Sequence, residues 1–378
     1  MSSIHPTARA WAQIDLAALT HNFNIARRTG KRVMCVIKAN AYGHGAVPCG
    51  LHLQKLGADF FAVACLAEAL ELREGGITKP ILILGYTPAE YAAALAEYDI
   101  TQTVQDESSA WELSRHAVQA GVTVDVHIKL DTGMSRIGIY AQSEEAALAA
   151  ADEAARIYAL PGLRVRGVYT HFSVADNPEE NGYTEWQLKN YHTVLNALAE
   201  RGIKPELCHA GNSAAIMNHP ETHFDMIRAG IMLYGMYPDG VHRSGELKPV
   251  MTLKSRVAQI RELPEGTSIS YGRAYKTDRP TRMAVVTAGY ADGHPRRISN
   301  ASYDIINGRR FPQIGRICMD MHMIDITGDE TVKVGDEVSL WGGEGMTAEQ
   351  VSEVVGTVNY ELTCLVTPRN IRIYINRD

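Results

Sequence analysis

A chain of 378 residues exceeds what one ordinary core organises, so two domains are expected. Apolar residues make up 46% and charged residues 21%, the balance of a globular protein, and a net charge of -6 with no basic cluster argues against a nucleic-acid partner. No apolar run is long enough to span a bilayer, and the N-terminal M-S-S-I-H-P-T-A-R-A-W lacks the apolar core of a signal peptide, so a cytoplasmic protein with no membrane partner is expected.

The chain opens with a short strand, W-A-Q-I-D-L, and a helical stretch from about Ala17 to Arg28. Next comes V-M-C-V-I, a buried strand that stops at Lys38, followed by Tyr42-Gly43-His44-Gly45, a turn leading into a helix. A lysine ending a buried strand reads either as a snorkelling side chain or as a desolvated amine of lowered pKa, ready to form a Schiff base. Further apolar runs fall at 59–64, 80–85, 100–104, 124–130, 164–170, 205–210 and 225–233, with helical periodicity between them. Ser143 caps one of those helices. Eight strands alternating with eight helical stretches predict an α/β architecture, an N-terminal (β/α)8 TIM-like barrel over residues 1–240, in which residues 10–16 are able to pack as a strand with the second domain. An open doubly wound sheet is the competing fold, and no G-x-G-x-x-G follows the first strand to support it.

A barrel gathers its chemistry at the C-terminal ends of its strands. Lys38 ends strand one, Lys129 lies near the end of strand five with Arg136 following, His171 ends strand six, Ser213 enters the helix after strand seven, and Arg228 lies in strand eight. Each has a bland alternative: Lys129 paired with Asp125 or Asp131, His171 a satisfied core histidine, Arg228 a bridge between elements. Their common rim favours function. Ser213 offers a hydroxyl beside helix N-terminal amides, and Gly230 and Ile231 let backbone approach a ligand closely. A lysine at strand one and an anion site at strands seven and eight match the aldehyde and the phosphate of pyridoxal 5'-phosphate (PLP).

From residue 241 to 378 the rhythm becomes that of short strands with glycine and proline punctuation, predicting a C-terminal mainly-β domain, an antiparallel sheet or small barrel. Thr347 and Gln350 form a capping box for one helix, which Gly356 ends. Tyr271 at a strand-to-turn junction, Cys318-Met319-Asp320 in a hairpin and Tyr290 in a polar loop look chemical, although each also reads as a structural tyrosine or a surface turn. The cysteines, Cys35, Cys49, Cys65, Cys208, Cys318 and Cys364, form no C-x-x-C pair and read as reduced thiols, with no metal site expected.

The segments V-I-K-A-N-A-Y-G-H-G, H-I-K-L-D-T-G-M-S-R-I-G, H-A-G-N-S-A-A, R-A-G-I-M-L-Y-G, I-S-Y-G, G-Y-A-D-G, G-R-I-C-M-D and T-V-N-Y-E resemble, in order, those of the bacterial alanine racemase family. The resemblance covers essentially the whole chain. It implies a PLP-dependent isomerase that racemises L- and D-alanine by two bases and supplies D-alanine for peptidoglycan. It also implies a head-to-tail homodimer in which each active site is completed by the partner's β-domain. By this resemblance Lys38 is the Schiff-base lysine and Tyr271, from the other subunit, the opposing base. Arg136 and Met319 hold the substrate carboxylate, Arg136 also touching the cofactor's phenolic oxygen. Arg228 faces the pyridine nitrogen, with His171 beside the ring, and Tyr42, Ser213, Gly230, Ile231 and Tyr360 surround the phosphate. Lys129 matches a lysine that is N-carboxylated in some members. An arginine cannot accept a proton, so the ring nitrogen is expected to stay unprotonated, which limits side reactions such as transamination. A phenol of ordinary pKa about 10 serves as a base near neutrality only in a positive field, which Arg136 and the His171–Arg228 pair are expected to supply. Rival readings are a serine or broad-specificity racemase on the same fold, a barrel decarboxylase and a non-catalytic PLP carrier.

Overall fold

The computed structural model describes residues 8–241, 243–343 and 345–376. Eight parallel strands form the first sheet: Arg32–Val36, Phe60–Val63, Ile81–Ile83, Ile100–Val104, Val124–Asp131, Leu163–Tyr169, Leu207–His209 and Met226–Ala229. Each pairs with the next through the seventh, and the eighth pairs with the first. Between seventh and eighth, Asp225 N–H donates to the Cys208 carbonyl (3.1 Å) and Arg228 N–H to the Gly211 carbonyl (2.9 Å), which closes the barrel. Most of the strands are rich in buried apolar residues because they are covered on both faces, whereas Leu163–Tyr169 keeps Arg164 exposed and Arg166 half-buried. The helices between them start where Asp106 and Ser143 accept from Ser109 N–H (2.6 Å) and Ala146 N–H (3.1 Å).

The second sheet is largely antiparallel. Thr281–Val286, His322–Asp325, Arg309–Ile314, Tyr303–Ile306, Glu337–Gly342 and Met251–Leu263 follow one another, and the last also pairs with the first, so six strands close a small barrel. Ala10–Asp15 extends it by pairing antiparallel with Met251–Leu263, and Ile371–Ile375 adds to that strand in parallel. The sequence reading did not anticipate this final strand or the helix Asn359–Cys364. The capping box at Thr347 and the left-handed Gly356 bound the helix Ala348–Val355.

The junction after the first barrel strand departs from expectation. The strand ends at Val36, not at Lys38. Lys38–Tyr42 then forms a left-handed helical turn, with φ of 51°, 54° and 53° at Ala39, Asn40 and Ala41 and 51° at Tyr42. Each non-glycine residue in this conformation costs roughly 1–2 kcal/mol, so the turn persists only because its surroundings over-determine it. Glu68 accepts from Ala39 N–H (2.6 Å) and Ala64 N–H (2.7 Å). The Asn40 carboxamide accepts from Ala46 N–H (2.8 Å), which starts the next helix. The C-terminal segments clasp the other side: Arg372 Nε donates to the Gly43 carbonyl (3.1 Å) and the Tyr374 hydroxyl to the His44 carbonyl (3.1 Å).

Gly43 is the tightest point of this clasp. Its φ is +85°, and a Cβ there would lie 2.0 Å from the Thr363 carbonyl oxygen. Gly43→Ala is therefore expected to lower stability by about 3 kcal/mol or more, read as a depressed thermal transition. A variant as stable as the parent would show that the Asn359–Cys364 helix does not hold the turn.

Candidate functional site

The site begins with Arg228, which the eighth strand carries into the barrel, where it is 3% exposed. No carboxylate pairs with it among the described residues. Instead Nη2 donates to the Thr170 and Ala210 carbonyls (both 2.8 Å) and contacts His171 Nδ1 (3.1 Å), while Nη1 contacts His209 Nδ1 (3.0 Å). Arg228 thus does bridge elements, but it does so at the mouth of the barrel, and its Nε has no protein acceptor among the described residues. Burial pulls its pKa down to about 10.

Because arginine only donates, its contacts fix the tautomers around it. His209 must accept at Nδ1 and carry its proton on Nε2. That Nε2 lies 2.9 Å from His127 Nδ1, so His127 accepts in turn. Both rings are neutral: burial, reinforced by Arg228, holds His209 well below the usual range, and burial with Arg166 and Arg228 pushes His127 down to about 3. The Tyr169 ring stacks on His209 at 4.7 Å and lies 5.1 Å from Lys129 Nζ and 5.4 Å from the Arg228 guanidinium carbon, so both buried side chains contact one aromatic ring. Tyr169, His127 and His209 were not singled out from the sequence. The alternation in V-H-I-K, which puts His127 and Lys129 on one face of the fifth strand, was the available signal.

Lys129 is 4% exposed and donates only to the Leu130 carbonyl (2.9 Å). Neither suggested partner takes it. Asp125 is engaged by Arg164, and Asp131 accepts from the amides of Gly133, Met134 and Ser135 at 3.2, 3.0 and 2.9 Å. Burial, with Arg228, lowers the Lys129 pKa far below its ordinary value. His171 lies two residues beyond the sixth strand. Burial and then Arg228, Lys129, Arg136 and Lys38 all oppose its protonation. The ring is therefore neutral, which corrects the expectation that a His171–Arg228 pair supplies positive charge: Arg228 alone carries it.

Lys38, at the start of the left-handed turn, is half-buried. Burial and then Arg136 lower its pKa, against smaller opposing effects of Glu68 and Cys364. The same turn brings the Tyr42 hydroxyl toward Gly230: a Cβ on Gly230 would lie 3.3 Å from that oxygen and 3.6 Å from Ser213 Oγ. Ser213 Oγ accepts from the amides of Gly230 (3.1 Å) and Met232 (3.3 Å). Tyr360, on the helix Asn359–Cys364, meets the Tyr42 ring edge-on at 6.3 Å. Burial, with Cys364 and Tyr360, pushes the Tyr42 phenol up, so it stays a neutral hydroxyl able to donate to an anion. Hydroxyls, backbone amides and a glycine with no Cβ make an anion cradle at the ends of strands seven and eight.

The barrel mouth thus brings together Lys38, Tyr42, Lys129, Arg136, His171, Ser213, Arg228, Gly230, Ile231 and Tyr360. Two candidates stand apart. Tyr271 is 67% exposed and Met319 52% exposed, both on the small barrel. Neither is joined to the mouth by a hydrogen bond, ion pair or ring contact among the described residues, and Tyr271 is not among the charges acting on Lys38, Lys129, His171 or Arg228. Arg9 and Arg369 fix the Met319 hairpin. Both contact buried Asp292, at 2.7 and 3.2 Å, while Arg369 also reaches Asp320 at 2.7 Å.

Fold and site together define a barrel with a half-buried amine and a set of hydroxyls and backbone amides suited to an anion at its mouth, and a β-domain that presents Tyr271 and Met319 outward. Residues 14–238 match the model of the alanine racemase N-terminal domain and residues 250–374 that of the alanine racemase C-terminal domain. The alanine racemase of Desulforamulus reducens is 43% identical over 370 residues, 97% of this chain and 98% of that one. The solved alanine racemase of Clostridium difficile 630 superposes with a TM-score of 0.92 at 40% identity, covering 99% of this chain and 97% of that one. That of Bacillus anthracis with bound L-Ala-P superposes with a TM-score of 0.86 at 35% identity, covering 98% and 96%. The chain belongs to the alanine racemase family.

Proposed function

We propose that the barrel mouth holds PLP and that, completed by a second subunit, it interconverts L- and D-alanine. The observation that carries this reading is a desolvated Lys38 amine and the cradle at Ser213 and Gly230 at one barrel mouth, together with a buried Arg228 that has no counter-ion among the described residues. The residues fit the cofactor. Tyr42, Ser213, Tyr360 and the backbone at Gly230 and Ile231 would hold its phosphate, Lys38 would carry it covalently, and the free Arg228 Nε would face its ring nitrogen with His171 alongside. Bound PLP supplies the conjugation that makes the α-proton of an amino acid removable near neutral pH.

The protein's part is proton transfer and positioning. Lys38, displaced by substrate and of lowered pKa, takes or gives a proton at Cα on the face of the D isomer. The opposite face needs a second group, and the outward Tyr271 suits it only from another subunit. The partner subunit's Tyr271 therefore serves the L face in a homodimer. Arg136 and the partner subunit's Met319 orient the carboxylate, and Tyr360 narrows the space so that a methyl side chain is preferred to the hydroxymethyl of serine. Lys129, a neutral buried amine with no carboxylate partner, adds to carbon dioxide with loss of one proton. The carbamate that results places an anion between Arg136 and Arg228. Supply of D-alanine for peptidoglycan in the cytoplasm is the physiological role this reading assigns.

The decay of circular dichroism in PLP-loaded protein with L-alanine and then D-alanine tests the activity. Decay toward zero from both sides is expected, with Lys38→Ala and Tyr271→Phe each slowing it about 10²–10⁴-fold. Faster decay with serine moves the assignment to a broad-specificity racemase, and retained PLP with no decay moves it to a carrier. The activity should also relieve a D-alanine requirement in a bacterium that has one. Separately, labelled carbon dioxide is expected to give one carbamate signal that Lys129→Ala abolishes. An unmodified lysine at saturating bicarbonate contradicts that assignment.

A further inference from the structure

The small barrel contains a second cluster that the racemase reading does not use. His294, Asp304 and His322 come from three separate segments: the loop after Tyr290–Asp292, the strand Tyr303–Ile306 and the start of the strand His322–Asp325. All three are 0% exposed. One ligand atom from each, two ring nitrogens and a carboxylate oxygen, lie within 4.8 Å of one another. The rings of His294 and His322 are 4.6 Å apart.

The polar atoms here are poorly satisfied. His322 Nδ1 sits 2.8 Å from the Ala288 carbonyl and Nε2 2.6 Å from Asp304 Oδ2. Among the described residues Asp304 Oδ1 has no partner, and neither does either nitrogen of His294. A buried imidazole with both nitrogens unpaired, next to a carboxylate with one free oxygen, is costly, because each such group forfeits its hydration for nothing. An ordinary core would carry an apolar residue at 294. The arrangement is what a cation between the three side chains would relieve.

We propose that His294, Asp304 and His322 form a binding site for a divalent transition metal, with zinc the best match. Two imidazoles and a carboxylate are borderline donors that suit zinc, which bonds them at about 2.0–2.2 Å. Ligand atoms of a tetrahedral ion are then roughly 3.4 Å apart, so the 2.6 Å contact between His322 and Asp304 opens to admit the metal while His294 draws inward. His322 is already oriented for the role. The Ala288 carbonyl can only accept, so Nδ1 carries a proton and donates to it, leaving Nε2 toward Asp304 and His294 as a metal-facing nitrogen. On binding, the proton between His322 Nε2 and Asp304 leaves to solvent and the metal takes its place. A water or the second Asp304 oxygen completes four ligands. No metal was expected from the sequence because no ligand spacing signals the site: the three residues are joined only by the closure of the small barrel.

Such an ion would tie the loop that carries Tyr290 and Asp292 to the strand that follows the Met319 hairpin, and so hold two segments of the outward face in one geometry. Because the cluster is fully buried, the metal would enter during folding, and the test uses the full-length PLP-loaded protein produced in zinc-supplemented medium. After exhaustive dialysis, elemental analysis is expected to give one zinc per chain, with near-zero retention in His294→Leu and in Asp304→Asn. X-ray absorption at the zinc edge of the unaltered protein is expected to show a shell of nitrogen and oxygen with imidazole scattering from two rings. No zinc above that of the variants overturns the proposal and leaves the cluster a proton-bridged pair beside a solitary histidine. A sulfur shell also overturns it, by placing the metal on a cysteine, and this readout needs no variant to fold.

Discussion

The site depends on a guanidinium buried without a counter-ion. Removing a cation from water costs several kcal/mol, and a carboxylate is the usual remedy. Arg228 has instead two carbonyls and two histidines that its own donors hold neutral. The consequence spreads through the mouth of the barrel. His209 and His127 are left with single allowed tautomers, the Tyr169 ring is held against both Lys129 and Arg228, and Lys129 is driven toward its neutral form. Arg228 and Arg136 leave the mouth with positive charge that suits an anionic ligand.

The second constraint is the left-handed turn at residues 38–42. A right-handed continuation would direct Lys38 and Tyr42 differently, and the amine and the phosphate-side hydroxyl would not both serve the same mouth. The strain is held from two directions, by Glu68 in the first turn of the barrel helix Leu66–Glu74 and by the C-terminal helix and last strand, so the second domain supports the turn of its own barrel as well as presenting Tyr271 outward. The geometry of the turn is thereby coupled to docking of the chain's final residues.

Much of this was legible in the sequence. Most of the eight barrel strands are buried on both faces, so they read as apolar runs, and polar residues that interrupt such runs at their C-terminal ends are conspicuous. Lys38, Lys129, Arg228 and Ser213 were found in that way. The left-handed turn was not, because A-N-A-Y carries no local preference for it and the conformation is imposed by tertiary contacts. The final strand, I-R-I-Y-I, follows a proline-marked loop and pairs with residues more than three hundred positions earlier, a partnership no local pattern announces. His209 and His127 were not singled out because their importance lies in what Arg228 does to their protons. The cluster at His294, Asp304 and His322 was invisible for a similar reason: its members meet only in three dimensions.

The central claim is that one chain supplies Lys38 and another supplies Tyr271 to the same site. The most direct measurement mixes two inactive variants, Lys38→Ala and Tyr271→Phe, after dissociating and reassociating their subunits. In a hybrid dimer one site carries both substitutions and the other carries neither, so random reassociation is expected to restore about a quarter of the parental racemisation rate. Recovery to that level, absent when either variant is reassociated alone, is the predicted result. No recovery in mixtures shown to contain hybrid dimers would contradict the account, because it would place both residues in the active site of a single chain.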